Sequence, residues 1–160
     1  MRFLFCLALA LLLMAAPAGA APVFSARVIK VVDGDSLNVE YAGQKIKLRL
    51  WGIDAPEMRQ AYGKEARVWL AAMVNGRRIQ AQAKDIDIYH RLVVLVWVDD
   101  QLVNEEMVRQ GAAWVYPRYC REQICDGWRR LQDDARSAQR GLWGNAKAIP
   151  PWEKRRMMRH

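Results

Sequence analysis

The chain has 160 residues, with 25 Lys and Arg against 17 Asp and Glu, a formal charge of +8. That length suits one compact domain and leaves little room for a second. The positive excess suits a polyanionic partner. The two histidines, His90 and the terminal His160, argue against a mechanism built on a pair of positioned imidazoles.

Residues 1–20 read as a secretory signal peptide. Arg2 supplies the positive start, residues 3–16 are almost wholly apolar and uncharged, and Pro17 precedes the small residues Ala18-Gly19-Ala20. The apolar run is shorter than the ~20 residues a spanning helix needs. The expected mature chain begins near Ala21, is secreted or periplasmic, and has no stable membrane association.

Strand patterns follow. Residues 27–32 are rich in β-branched side chains, Asp33-Gly34-Asp35 interrupts them, and 36–41 resumes the alternation. Ala42-Gly43-Gln44 signals a hairpin. Over 45–51, Ile46, Leu48 and Leu50 share one face, while Lys45, Lys47, Arg49 and Trp51 share the other. Two further strands are predicted over 77–84 and 91–98. Helical spacing of Ala66, Trp69, Leu70 and Met73 ends at Asn75-Gly76. A second helix is predicted over 102–110. A third, marked by Trp128, Leu131, Ala135 and Ala138, stops at Gly141.

Five short strands with a helix after the third predict an α+β fold, an OB-type Greek-key β-barrel with about three α-helices. Residues 21–145 would form this domain. Residues 146–160, with Pro150-Pro151 and Lys154-Arg155-Arg156, are expected to be a basic, loose tail. Trp69, Trp97, Trp128 and Trp143 are expected in the core or in helix packing. With Cys6 removed in the signal, Cys120 and Cys125 remain. Two cysteines in an oxidising compartment pair readily, whereas two without a neighbouring histidine make a poor zinc site. A disulfide is the favoured reading, and its small loop limits the stabilisation to ~2 kcal/mol.

The chemistry concentrates at turns and strand ends. Asp33 and Asp35 flank Gly34, and Asp54 and Glu57 flank Ala55-Pro56. Taken singly, each pair reads as turn or cap chemistry. Taken together, carboxylates from two turns supply oxygen ligands for a hard cation such as Ca²⁺. Arg49 and Arg91 offer a planar bidentate grip on a phosphodiester, and Glu57 can activate a water. No Gly-rich phosphate loop is present, and Ser25, Ser36 and Ser137 have no histidine and acid partners for nucleophilic catalysis.

At these residues the chain resembles the staphylococcal nuclease family. The motifs that carry the resemblance are Val32-Asp33-Gly34-Asp35-Ser36, Leu48-Arg49-Leu50-Trp51-Gly52-Ile53-Asp54-Ala55-Pro56-Glu57, Tyr62-Gly63-Lys64-Glu65-Ala66, Asp87-Ile88-Tyr89-His90-Arg91 and Val103-Asn104-Glu105-Glu106-Met107-Val108-Arg109-Gln110-Gly111. The likeness runs from about Ala26 to Trp143. It implies Ca²⁺-dependent cleavage of DNA and RNA to 3′-phosphate products; a monomer suits the chain's size. It further implies Asp35, Asp54 and the Ala55 carbonyl as metal ligands, with Asp33 close behind them. Glu57 would act on the attacking water, Arg49 and Arg91 would hold the phosphate, and Tyr89 and Tyr116 would lie near the nucleotide. Ala55 replaces a threonine of the best-known member, and His90 stands where glycine is common. Domains of this fold that only bind usually lack such carboxylates or arginines, and this chain has all five.

Overall fold

The computed structural model describes residues 22–159. The expected signal peptide lies outside these residues, as does His160. The strands are β1 (Val23–Val31), β2 (Ser36–Tyr41), β3 (Gln44–Leu50), β4 (Ile53–Asp54), β5 (Arg78–Ile86), β6 (Leu92–Val98), β7 (Gln101–Leu102) and β8 (Trp114–Val115). The helices are α1 (Gly63–Val74), α2 (Val103–Arg109), α3 (Ile124–Ser137) and α4 (Pro151–Met157), with a 3₁₀ turn at Gly141–Gly144.

The main sheet runs β3-β2-β1-β5-β6-β7, and β3 also pairs with β6. That last pairing is parallel, Leu48 opposite Leu92 and Leu50 opposite Val94, and closes β1, β2, β3, β5 and β6 into a barrel. The expected OB-type α+β fold is therefore the observed one. Closure removes the exposed edges that an open sheet would present. The alternation read in β3 is real up to its end: Leu48 and Leu50 are buried, while Lys45 and Lys47 are exposed. Trp51 departs from it. The strand ends there, and the ring turns inward to pack edge-on against Trp128 at 5.8 Å. Burial also places Trp128 and Trp143 inside, as expected, whereas Trp69 is 39% exposed on α1.

One polar side chain sits wholly within the core. Asn104, at the start of α2, accepts a hydrogen bond from the Val96 amide at 2.9 Å. It donates to the carbonyls of Trp51 at 2.9 Å and Val94 at 3.1 Å. A buried amide satisfied on both ends fixes α2 against β6 and against the end of β3. Cys120 and Cys125 form a disulfide, and both are fully buried.

The tail departs from its sequence reading. A loose segment was expected over 146–160, but α4 folds there with Pro151 at its first turn and buried. Proline's fixed φ favours a helix start, and Trp152 stacks on Tyr116 with ring centroids 5.0 Å apart and planes 7° from parallel. Among the described residues the helices therefore number four rather than about three, and none is long and apolar enough to cross a membrane.

Candidate active site

Strand register brings the charged residues together. Ser36 lies opposite Arg49 in the β2–β3 ladder, and Arg49 lies opposite Val93 in the β3–β6 pair. The turn before β2 and the loop before β6 therefore both meet the end of β3. Asp33 Oδ1 accepts a hydrogen bond from the Asp35 amide at 3.0 Å, which shapes the turn. Asp35 is buried, and its Oδ2 accepts the Ala55 amide at 2.6 Å, tying the first acidic turn to the second.

Gly34 permits that approach. A Cβ on it would lie 2.6 Å from the Ala55 Cβ and 2.8 Å from the Ala66 Cβ, closer than carbon atoms tolerate. The turn carrying Asp35 thus packs directly on the turn carrying Asp54 and on α1.

Arg49 joins the two acids. Its Nη1 forms an ion pair with Asp35 Oδ1, and its Nη2 lies 2.7 Å from Asp54 Oδ1. Asp54 is 1% exposed. Burial is the main influence on the Arg49 guanidinium and lowers its pKa from the ordinary value; attraction to Asp54 opposes this and the nearby Arg91 reinforces it.

Arg91 is fixed by its own loop. Asp87 accepts hydrogen bonds from the amides of Tyr89 at 2.9 Å and Arg91 at 3.0 Å, and from Arg91 Nε at 2.7 Å. Burial pushes the Asp87 carboxyl upward, but these hydrogen bonds and the Arg91 charge outweigh it, so its pKa is lowered overall. Arg91 Nη1 also donates to Ser36 Oγ at 3.3 Å, and that hydroxyl donates to Asp35 Oδ1 at 3.1 Å. The two arginines and Asp35 form one connected network. His90 just before Arg91 has φ 58°. Glycine adopts this left-handed conformation without strain, whereas a histidine there brings its Cβ close to the following carbonyl.

The remaining expected residues surround this network. Tyr89 is 66% exposed, with the Arg91 guanidinium 5.4 Å from its ring centre. Tyr116 is half-buried beside Gly52, whose carbonyl accepts its amide at 2.8 Å. Glu57 is 46% exposed at its side chain and is met by Arg155 Nη1 at 2.7 Å. Sequence reasoning missed Arg155, whose partner Asp54 lies 101 positions away. It also missed the clamping role of Asp87; the four-residue spacing to Arg91 was the available signal.

The donor set fits a hard divalent cation. Two buried carboxylates on facing turns bring their Oδ1 atoms to one guanidinium, and hard cations take oxygen ligands. Among the described residues there is no group of three or more His, Cys, Asp or Glu placed to hold a metal. Further ligands would therefore be carbonyl or water oxygens, and the Ala55 carbonyl sits on the same turn.

Residues 47–145 match the family described as staphylococcal nuclease homologue. The chain belongs to the staphylococcal nuclease family. It is 40% identical over 158 residues to the protein ParB of Escherichia coli, covering 93% of this chain and 88% of that protein. An uncharacterized endonuclease of Haemophilus influenzae is 37% identical over 131 residues, 81% of this chain and 72% of its own. The micrococcal nuclease of Shigella flexneri is 33% identical over 142 residues, covering 83% and 81%. Family and relatives together support nuclease activity on nucleic acid, and the OB-type barrel places the paired carboxylates and arginines of this staphylococcal nuclease homologue at one end of β3.

Proposed function

We propose that this chain is a Ca²⁺-dependent phosphodiesterase that cleaves DNA and RNA to 3′-phosphate products and prefers single strands. The observation that carries the reading is the linkage of Asp54, Arg49, Asp35, Ser36 and Arg91 in one network at the barrel end. Asp35, Asp54 and the Ala55 carbonyl would hold Ca²⁺, which would supply Lewis-acid stabilisation of negative charge on the phosphate oxygens. Arg49 and Arg91 would hold the anionic oxygens with their guanidinium donors. Glu57 orients an attacking water or takes its proton. Asp33 holds the turn that presents Asp35. Losing one such charge-stabilising contact typically costs about 3 kcal/mol of barrier, roughly a hundredfold in rate.

Single strands offer exposed phosphates and unstacked bases, and exposed Tyr89 beside Arg91 provides an aromatic and cationic face for them. Secretion or periplasmic export by the expected signal peptide accords with the Cys120–Cys125 disulfide, since such bonds persist in oxidising compartments. A monomer suits the size.

The test is hydrolysis of denatured DNA with Ca²⁺, with a chelator, and by Glu57→Gln. Turnover that requires Ca²⁺ and drops about a hundredfold or more in the variant supports the metal and Glu57 together. Cleavage that survives chelation would remove the metal from the mechanism.

A further inference from the structure

Helix α4 takes no part in the proposed cleavage, yet one of its side chains sits among the groups that do. Arg155 Nη2 lies 2.6 Å from Asp54 Oδ2, and its Nη1 lies 2.7 Å from Glu57 Oε1 and 3.4 Å from Asp54 Oδ1. Arg49 already holds Asp54 Oδ1 at 2.7 Å. Both oxygens of this buried carboxylate are thus occupied by guanidinium groups, and Glu57 pairs with the same arginine.

The helix is seated by a second contact, an aromatic one. Trp152, one helical turn before Arg155, stacks on Tyr116 at 5.0 Å and meets Trp114 edge-on at 6.0 Å. Residues three apart on a helix share a face. A single face of α4 therefore covers the expected metal ligand, the expected water-activating acid and an aromatic ring expected beside the nucleotide. The segment joining it to the barrel is lightly packed: Gly144, Asn145, Ala146, Lys147 and Ile149 are all exposed.

We propose that α4 is an autoinhibitory latch, in which Arg155 competes with the divalent cation for Asp54 and occupies the water-activating Glu57 while Trp152 covers Tyr116. This inference rests on the cation-dependent reading of the site. A guanidinium carries one charge and a divalent cation two, so at equal distance the cation attracts the carboxylate about twice as strongly. Cation binding therefore displaces Arg155 and frees the helix face. Until then the open fraction sets the apparent affinity: if the latch is open about one-tenth of the time, Ca²⁺ binds roughly tenfold more weakly than to an unlatched site.

The experiment measures Ca²⁺ binding by calorimetry, without nucleic acid, to the wild-type protein, Arg155→Gln and Arg156→Gln. Arg156 is exposed on the same helix and controls for loss of charge. Arg155→Gln is expected to bind Ca²⁺ about tenfold more tightly and to cleave faster than wild type at limiting Ca²⁺, with Arg156→Gln close to wild type. In parallel, tryptic cutting at Lys154–Arg156 of the wild-type protein, followed by mass spectrometry, should accelerate when Ca²⁺ is added. Equal affinities in wild type and Arg155→Gln, or equal shifts in both variants, would overturn the latch while leaving the nuclease reading intact. Cleavage lost in Arg155→Gln with unchanged Ca²⁺ affinity would overturn it in favour of a substrate-gripping role for Arg155. Tryptic cutting unaffected by Ca²⁺ that is bound would also overturn it. If no protein binds Ca²⁺, the metal assignment fails and the latch fails with it.

Discussion

Gly34→Ala isolates the packing that assembles the site. The added methyl would lie 2.6 Å from the Ala55 Cβ, 2.8 Å from the Ala66 Cβ and 3.4 Å from the Ala66 carbonyl carbon. Carbon atoms settle at about 3.5–4.0 Å, so the first two contacts overlap by roughly 1 Å. Neither neighbour is the end of a flexible side chain; both are fixed to backbone, one in the Asp54 turn and one in α1. Relief therefore requires the 33–35 turn to move as a unit, and the penalty should fall at the upper end for overpacking, about 3 kcal/mol. For a domain of this size that lowers the melting temperature by roughly 10 °C. Movement of the turn also separates Asp35 Oδ2 from the Ala55 amide, now at 2.6 Å, and loosens Asp35 from Arg49. Activity should fall well beyond the unfolded fraction. Thermal unfolding followed by circular dichroism, beside kcat/KM on denatured DNA at a temperature where the variant is folded, separates the two effects. Adding Ala55→Gly should recover about 1 kcal/mol or more of the stability loss, since it removes the closest contact. A Gly34→Ala protein with wild-type melting temperature and full activity would refute the close-approach argument.

Three further outcomes are expected. Asp87→Asn should weaken the hold on Arg91 and reduce kcat/KM about tenfold. Because the Asp87 pKa is lowered in the fold, its stabilising contribution is present above the ordinary carboxylate value of about 3.9 and is lost as pH falls through its folded value; urea unfolding from pH 6 to pH 3 should show a shallower acid loss in Asp87→Asn, and identical slopes would exclude the contribution. Asn104→Ala should destabilise by about 3 kcal/mol in urea titration, since it strands the Val96 amide and the Trp51 carbonyl in the core and takes one of two donors from the Val94 carbonyl; a loss under about 1 kcal/mol would mean the core rearranges around it. His90→Gly should stabilise by about 0.5–1 kcal/mol by relieving the left-handed φ of 58°, and a destabilised variant would show that the histidine makes a compensating contact.

Much of the barrel was legible because its signals are local. The alternation of Ile46, Leu48 and Leu50 follows from the period of a strand, and the Gly43 turn joins β2 to β3 where the hairpin signal stands. Strand ends were less clear: β1 begins at Val23 and β5 extends to Ile86, since their outer residues are ordered by pairing with neighbours rather than by their own pattern. The tail was misread for a related reason. Lys154-Arg155-Arg156 has the composition of a solvated segment, and nothing near it in sequence reveals Asp54 and Glu57 as partners of Arg155, or Trp114 and Tyr116 as partners of Trp152.

By itself, the sequence determined the barrel class, the inward and outward faces of strands such as β3, and which acids and arginines stand at turns and strand ends, because each depends on residue type and short-range spacing. Tertiary structure alone decided that Arg49 spans Asp35 and Asp54, that Ser36 meets Arg91, and that Arg155 returns from the far end of the chain to cover Asp54 and Glu57. Those contacts arise from barrel closure and long-range packing, where burial concentrates charge that the linear chain keeps apart.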